Sequence, residues 1–275
     1  MAMVDIPQPG ETMNALHAIL IGLVEGISEY LPISANGHVI IVGNLLGEPA
    51  DLVKAFGVAL QAAPMLAVLI LYHRRFEALF APATAGETSF KGRNAWLLFL
   101  AGVLPVMVSG FLFKRFFYGL MLSPWPSVTG LALGGVGILL AEYTHHEERG
   151  TDIDGLTLAQ ALGIGLFQCL ALWPGVSRSG ATIIGGLVLG LNRRAAAEFS
   201  FLIGVPVFAA ASGMELIKSG QLHQHAQLFA LAFLVSFCCA IITVKLLIQW
   251  LGRISFKPFG WYRIAISPVL WLLFR

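Results

Sequence analysis

Charge is what this chain has least of. Only 12% of its 275 residues are Asp, Glu, Lys or Arg, and 57% are hydrophobic, whereas a soluble domain carries about a quarter charged residues. A water-exposed surface cannot be built from that ratio. We therefore expect an integral membrane protein in which residues 1–275 form a single membrane domain. The net charge of +2 is too small for a nucleic-acid footprint. Cysteine is nearly absent too. Cys169 and the neighbours Cys238 and Cys239 all sit in apolar runs, which argues against a disulfide framework or a zinc site. Residues 1–12 lack the basic start of a cleavable signal peptide. No Gly-Lys-Ser/Thr follows any glycine-rich turn in the way a Walker A loop requires.

What is present is a set of apolar runs with two unusual interruptions. Residues 13–31 and 37–46 are apolar and are joined by the polar tip Pro32-Ile33-Ser34-Ala35-Asn36-Gly37-His38. The second limb is only half of the about 20 residues that a full span needs, so the pair predicts a re-entrant helical hairpin. Three spans follow, over 52–72, 95–117 and 128–143. A second interrupted pair covers 158–173 and 180–191, and three more spans cover 195–217, 226–251 and 259–274. An offset of 143 residues aligns 22–47 with 165–190 without a gap. Ser34 then meets Ser177, and Gly22, Gly37, Gly43 and Gly47 each meet a glycine. Each half is a hairpin plus three spans, 13–143 and 158–274. Three is odd, so the halves run in opposite directions. The expected fold is an all-α polytopic membrane protein with an inverted-topology repeat, and such repeats bring their broken-helix tips together near the midplane.

Orientation follows from the basic residues. One side collects Arg74, Arg75, Lys91, Arg93, Arg149, Arg193, Arg194, Arg253 and Lys257; the other has Lys54, Lys114, Arg115, Lys218 and Arg275. Lys245 and Arg263 fit neither group. The richer side is expected to be cytoplasmic, which places both termini outside.

The tips carry the chemistry. Trp173-Pro174-Gly175-Val176-Ser177-Arg178-Ser179-Gly180-Ala181-Thr182 sets an arginine, hydroxyls and glycines between two apolar runs. A helix starting near Ser179 or Gly180, with a serine as its N-cap, would aim free backbone N–H groups at an anion. Arg178 adds a forked cation suited to phosphate. The bland alternative is a polar loop whose arginine snorkels to a headgroup. Glu25 and Glu29 lie four apart, hence on one helix face. Each would be costly at the bilayer centre unless Arg178 or a divalent cation neutralises the pair. His38 opens the second limb of the first hairpin. His17 has no polar neighbour on its helix and receives no role. Carboxylates and a histidine on one tip, with arginine, hydroxyls and a helix start on the other, suit phosphoryl transfer on a lipid phosphate.

Residues 22–32 (Gly-Leu-Val-Glu-Gly-Ile-Ser-Glu-Tyr-Leu-Pro), His38 and residues 168–182 resemble the bacterial undecaprenyl-diphosphate phosphatase family, the integral-membrane type linked to bacitracin resistance. So do residues 198–201 and 253–256. The resemblance implies hydrolysis of undecaprenyl diphosphate to the monophosphate carrier lipid for cell-wall synthesis, in the bacterial inner membrane, at a site opening towards the periplasm. It implies dependence on a divalent cation, and Mg²⁺ or Ca²⁺ on Glu25 and Glu29 is the candidate site that the carboxylate pair offers. Residue by residue, Glu25 and Glu29 match the family's acidic motif, His38 its tip histidine, and Ser177, Arg178 and Thr182 its phosphate-binding run. The tips themselves add Ser34 to the catalytic candidates Glu25, Glu29, His38 and Arg178, and Ser179 and Gly180 to the substrate-binding ones. One departure matters: the family commonly has two adjacent serines in the first tip, and this chain has Ser34-Ala35. Ser34, His38 or an activated water then attacks, with His38 favoured. The expected partners are a polyprenyl diphosphate lipid and the membrane, with a homodimer left open. A flippase for polyprenyl phosphates is the alternative, because inverted repeats are also transporter architecture. A type-2 phosphatidic-acid phosphatase is excluded, since its Lys-x₆-Arg-Pro motif is absent.

Overall fold

The computed structural model describes residues 13–81, 90–120, 125–145, 150–251 and 254–273. Residues 1–12, and Arg149, Arg253 and Arg275 of the orientation argument, lie outside that set.

The described residues are organised as helices, with one isolated bridge between Thr151 and Leu191. Helix α1 (Ala15–Ser28) starts where the Asn14 side chain accepts the His17 N–H at 3.0 Å. Helix α2 (Ala35–Leu45) follows a turn. Then α3 (Ala50–Leu60) and α4 (Ala62–Leu71) run on through Gln61 as one 22-residue apolar stretch. The short α5 (His73–Ala78), α6 (Gly92–Leu112), α7 (Lys114–Leu120) and α8 (Trp125–Thr144) complete the first half. In the second half, α9 (Leu158–Cys169) opens with a capping box between Thr157 and Gln160 and ends in a 3₁₀ turn. Next come α10 (Arg178–Val188), α11 (Arg193–Lys218), the short α12 (Gly220–Gln224), α13 (Ala226–Trp250) and α14 (Lys257–Leu273).

Among the described residues, five helices are long and apolar enough to cross a membrane: Ala50–Leu71, α6, α8, α11 and α13. Bulky side chains such as Phe111, Leu133, Ile217 and Leu234 point outward from them, as a lipid-facing surface requires. The sixth expected span, 259–274, forms α14, whose 17 described residues leave it outside those five. Two boundaries also differ from expectation. The span expected over 95–117 breaks at Phe113, which leaves helical geometry just before Lys114 and Arg115. The helix expected from Ser179 or Gly180 begins earlier, at Arg178, because Ser177 is its N-cap and accepts the Gly180 N–H at 3.1 Å.

Small residues bring the limbs against their neighbours. A Cβ on Gly22 or Gly26 of α1 would overlap the carbonyls of Ala232 and Ser236 on α13. In the other half, a Cβ on Gly165 of α9 would overlap the Ala101 carbonyl on α6. Such backbone approach replaces the hydrophobic driving force that lipid removes. Ion pairs close the end of the bundle around the first turns of α11. Arg75 bonds Glu198 at 2.7 Å and Asp154 at 2.8 Å. Arg193 forks onto Glu142 at 2.9 and 2.6 Å, and the same carboxylate accepts the Phe256 N–H at 2.7 Å. His17 does have a partner after all. Its Nδ1 lies 2.5 Å from Glu48, a residue beyond the far end of α2, which reading one helix at a time could not connect.

Candidate active site

The backbone at the two tips departs from ordinary geometry in the same way. Ser34 has φ 74° and Ser177 has φ 70°, and they are the non-glycine residues with positive φ among those described. Each is the residue immediately before the second limb of its hairpin. A left-handed serine costs about 1–3 kcal/mol and persists only where its surroundings hold it.

The tips touch directly. The Ser179 hydroxyl, on the second tip, donates to the carbonyls of Glu29 at 3.3 Å and Leu31 at 3.1 Å on the first. Between them lies a cavity of about 490 Å³ whose walls include Glu29, Ser34, Asn36, Gln61, Ser177 and Arg178. That size suits a small-molecule headgroup. Asp51 and Lys54 of α3 line its further reach, and Trp173, Val53 and Phe208 add apolar wall.

Arg178 is held without being saturated. Its Nη1 donates to the Ser200 carbonyl at 2.8 Å, and its guanidinium carbon sits 4.2 Å from the Phe208 ring centre and 5.7 Å from that of Tyr30. Nη2 is 3.8 Å from Glu29 Oε1, too long for a hydrogen bond. Nε and Nη2 have no hydrogen-bond partner among the described residues. A buried donor left unpaired costs about 1–3 kcal/mol. Two on one guanidinium, at a cavity wall, form a fork set for an oxyanion.

The carboxylates divide by depth. Glu29 caps α1 and reaches the cavity; Glu25, one turn earlier, is fully buried. Among the described residues the Glu25 oxygens meet no donor, and the one polar group interacting with them is the Glu29 carboxylate, close enough to share a proton. This donor set fits a hard divalent cation that takes one or two protein carboxylates and completes its shell with water and phosphate oxygens. It does not fit an all-protein cage, since no group of three or more His, Cys, Asp or Glu occurs together among the described residues.

Other expected site residues face elsewhere. Thr182, itself fully buried, donates to the carbonyls of Arg178 and Ser179 and meets the Ser200 hydroxyl at 2.6 Å. Ser179 and Gly180 are buried beside it and, like Thr182, lie behind the cavity wall. Of the five residues expected to bind substrate, Ser177 and Arg178 reach the cavity. His38 does not line it either. Its Nδ1–H bonds the Ser34 carbonyl at 2.8 Å, and its Nε2 takes the Tyr262 hydroxyl at 2.6 Å, with the two rings stacked. Both ring nitrogens are therefore engaged, while the Ser34 side chain is on the wall.

Residues 18–269 match the family model described as Bacitracin resistance protein BacA. The chain belongs to that family. Among its relatives, an undecaprenyl-diphosphatase of Oleidesulfovibrio alaskensis is 44% identical over 261 residues, covering 94% of this chain and 98% of the relative. One from Parvibaculum lavamentivorans is 42% identical, covering 95% and 97%. Undecaprenyl-diphosphatase 1 of Bacillus thuringiensis subsp. konkukian is 41% identical, covering 92% and 96%. With five candidate spans and this membership, the chain is a multi-pass membrane protein of the BacA family.

Tyr262 and Gln61 escaped the sequence reading, Ser200 entered it only inside the stretch 198–201, and Arg263 only as a charge that fitted neither side. Only Arg263 carried a usable signal, as an arginine inside an apolar run. The others are ordinary helix residues until a distant partner reaches them.

Proposed function

We propose that this BacA-family chain hydrolyses undecaprenyl diphosphate, releasing inorganic phosphate and the monophosphate carrier lipid used in cell-wall synthesis. The observation that carries this reading is the buried Arg178 fork on a wall shared with Glu29, Ser34 and Ser177, inside a body built of apolar helices. A phosphate on a lipid is the ligand that needs both. The names of the relatives support the same substrate.

The terminal phosphoryl group docks against Arg178 and the start of α10, where helix dipole and backbone N–H groups favour an anion. Ser34 is the attacking group. Its oxygen bonds phosphorus while the bond to the bridging oxygen breaks, and the electron pair leaves on the carrier-lipid phosphate. The serine proton passes to the carboxylate pair, of which Glu29 is the member at the wall. Water then cleaves the phosphoserine, and inorganic phosphate departs. His38 holds the Ser34 backbone through its Nδ1–H rather than attacking. Mg²⁺ or Ca²⁺ bound by Glu25 and Glu29 would neutralise charge on the phosphates.

The architecture behind this site is an inverted repeat of two re-entrant hairpins. Three features support it: the matched left-handed serines, the crosswise glycine contacts of α1 on α13 and of α9 on α6, and the left-handed Gly47 and Gly190 that end α2 and α10 at the same offset. The domain is continuous over 1–275, sits in the bacterial inner membrane and has both termini in the periplasm. Phosphate release from detergent-purified protein, where no membrane remains to be crossed, tests the enzymatic reading against a flippase. Absence of release with farnesyl and undecaprenyl diphosphate in Mg²⁺ would overturn it.

A further inference from the structure

Arg263 of α14 is fully buried, and its guanidinium is surrounded by main chain. It donates to five carbonyls: Leu131 at 3.1 Å and Gly130 at 3.0 Å on α8, Pro32 at 3.0 Å on the first tip, and Gly175 and Val176, both at 2.9 Å, on the second. Those last three carbonyls lie two residues before Ser34 and within two before Ser177, the two positions with strained backbone. A trans peptide points its C=O and the next N–H in opposite directions. With the Val176 carbonyl drawn onto Arg263, the Ser177 N–H is turned away from it, on a residue that lines the cavity.

We propose that Arg263 is a positioning residue: it staples the two tips in register through their carbonyls and turns the Ser177 N–H towards the phosphate. The proposal rests on the diphosphatase reading for its location. A lysine keeps the charge but has a single nitrogen, so it cannot span five acceptors on both tips and α8. Gly134 of α8 offers an independent handle. A Cβ there would overlap Arg263 Nη2 and come within 3.1 Å of the Val176 carbonyl that Nη2 bonds, and Gly134 is not part of the cavity wall. Gly134→Ala therefore displaces the guanidinium while leaving all its donors and its charge.

The test uses full-length protein in detergent, farnesyl diphosphate as substrate, and inorganic phosphate as a directly titrated ligand. Arg263→Lys is expected to lower kcat per folded molecule about 100-fold, the scale of a misplacement of about 1 Å, with KM changed much less. It is also expected to weaken phosphate binding at least about tenfold, the worth of a hydrogen bond to a charged group. Gly134→Ala should move both quantities in the same direction. A purely structural staple would lower the folded fraction without changing either value in the molecules that remain folded. Wild-type kcat and phosphate affinity in folded Arg263→Lys, or in Gly134→Ala where the lysine variant fails to fold, would overturn the proposal. If wild-type protein releases no phosphate from the lipid, the functional reading fails on its own. The phosphate titration then still decides whether Arg263 shapes an anion site.

Discussion

Arg178 and Glu29 sit side by side on the cavity wall with Nη2 and Oε1 3.8 Å apart, close enough to compensate charge and too far to saturate the guanidinium. A tight bidentate pair would close the site by occupying the donors that a phosphate needs. Here the arginine is braced from behind by the Ser200 carbonyl and the Phe208 ring, and its free edge is left for the ligand. Removing the fork should therefore act on turnover rather than on folding. Arg178→Lys is expected to cut kcat/KM by about 100-fold, since a point charge does not replace a bidentate contact. Thermal unfolding should shift little. Phosphate release assays with near wild-type rates would reduce Arg178 to a filler of the Phe208 seat.

The deeper carboxylate should show the opposite balance. Glu25 is fully buried, meets no donor among the described residues and faces only the Glu29 carboxylate, a like-charged arrangement that destabilises the resting fold. Glu25→Gln is expected to raise the thermal midpoint while lowering turnover sharply, a trade between stability and activity. Both Glu25→Gln and Glu29→Gln should raise the Mg²⁺ concentration needed for half-maximal rate. Turnover that persists through exhaustive chelation would remove the cation from the scheme and leave the pair to share a proton.

The attacking group can be trapped chemically. Ala35 carries no hydroxyl, and Ser34 is the serine of the first tip that lies on the cavity wall. Rapid quenching with labelled substrate should yield an acid-stable phosphoserine at Ser34, and Ser34→Ala should abolish it. His38→Gln should slow its formation without eliminating it, because the ring acts through the Ser34 carbonyl. An acid-labile, alkali-stable phosphoenzyme would instead assign the attack to His38.

The crosswise helix contacts make matched stability predictions. Gly22→Ala and Gly165→Ala each force a Cβ onto a backbone carbonyl of the opposing helix. Each should destabilise by about 1–3 kcal/mol, as overpacking does. Unfolding followed in detergent should show comparable losses at both sites. A loss at one site alone would argue against equivalent halves.

Much of this was legible in the chain because it rests on local costs. A run of apolar residues with few charges can only be a helix in lipid. The two short limbs, the matched serines at positions 34 and 177, and the unpaired charges of Glu25, Glu29 and Arg178 are properties of neighbours in sequence. They located both tips, and the cavity joins Glu29 and Ser34 on one to Ser177 and Arg178 on the other. The tertiary structure decided which donor meets which acceptor. It placed Ser179 on the first tip's carbonyls, Thr182 on Ser200 and His38 on Tyr262, and it made Arg263, which fitted neither side of the charge count, the point where α8, α14 and both tips converge. A hydrogen bond is directional and short, so its partner depends on how helices distant in sequence cross. Hydrophobic periodicity carries no record of that crossing.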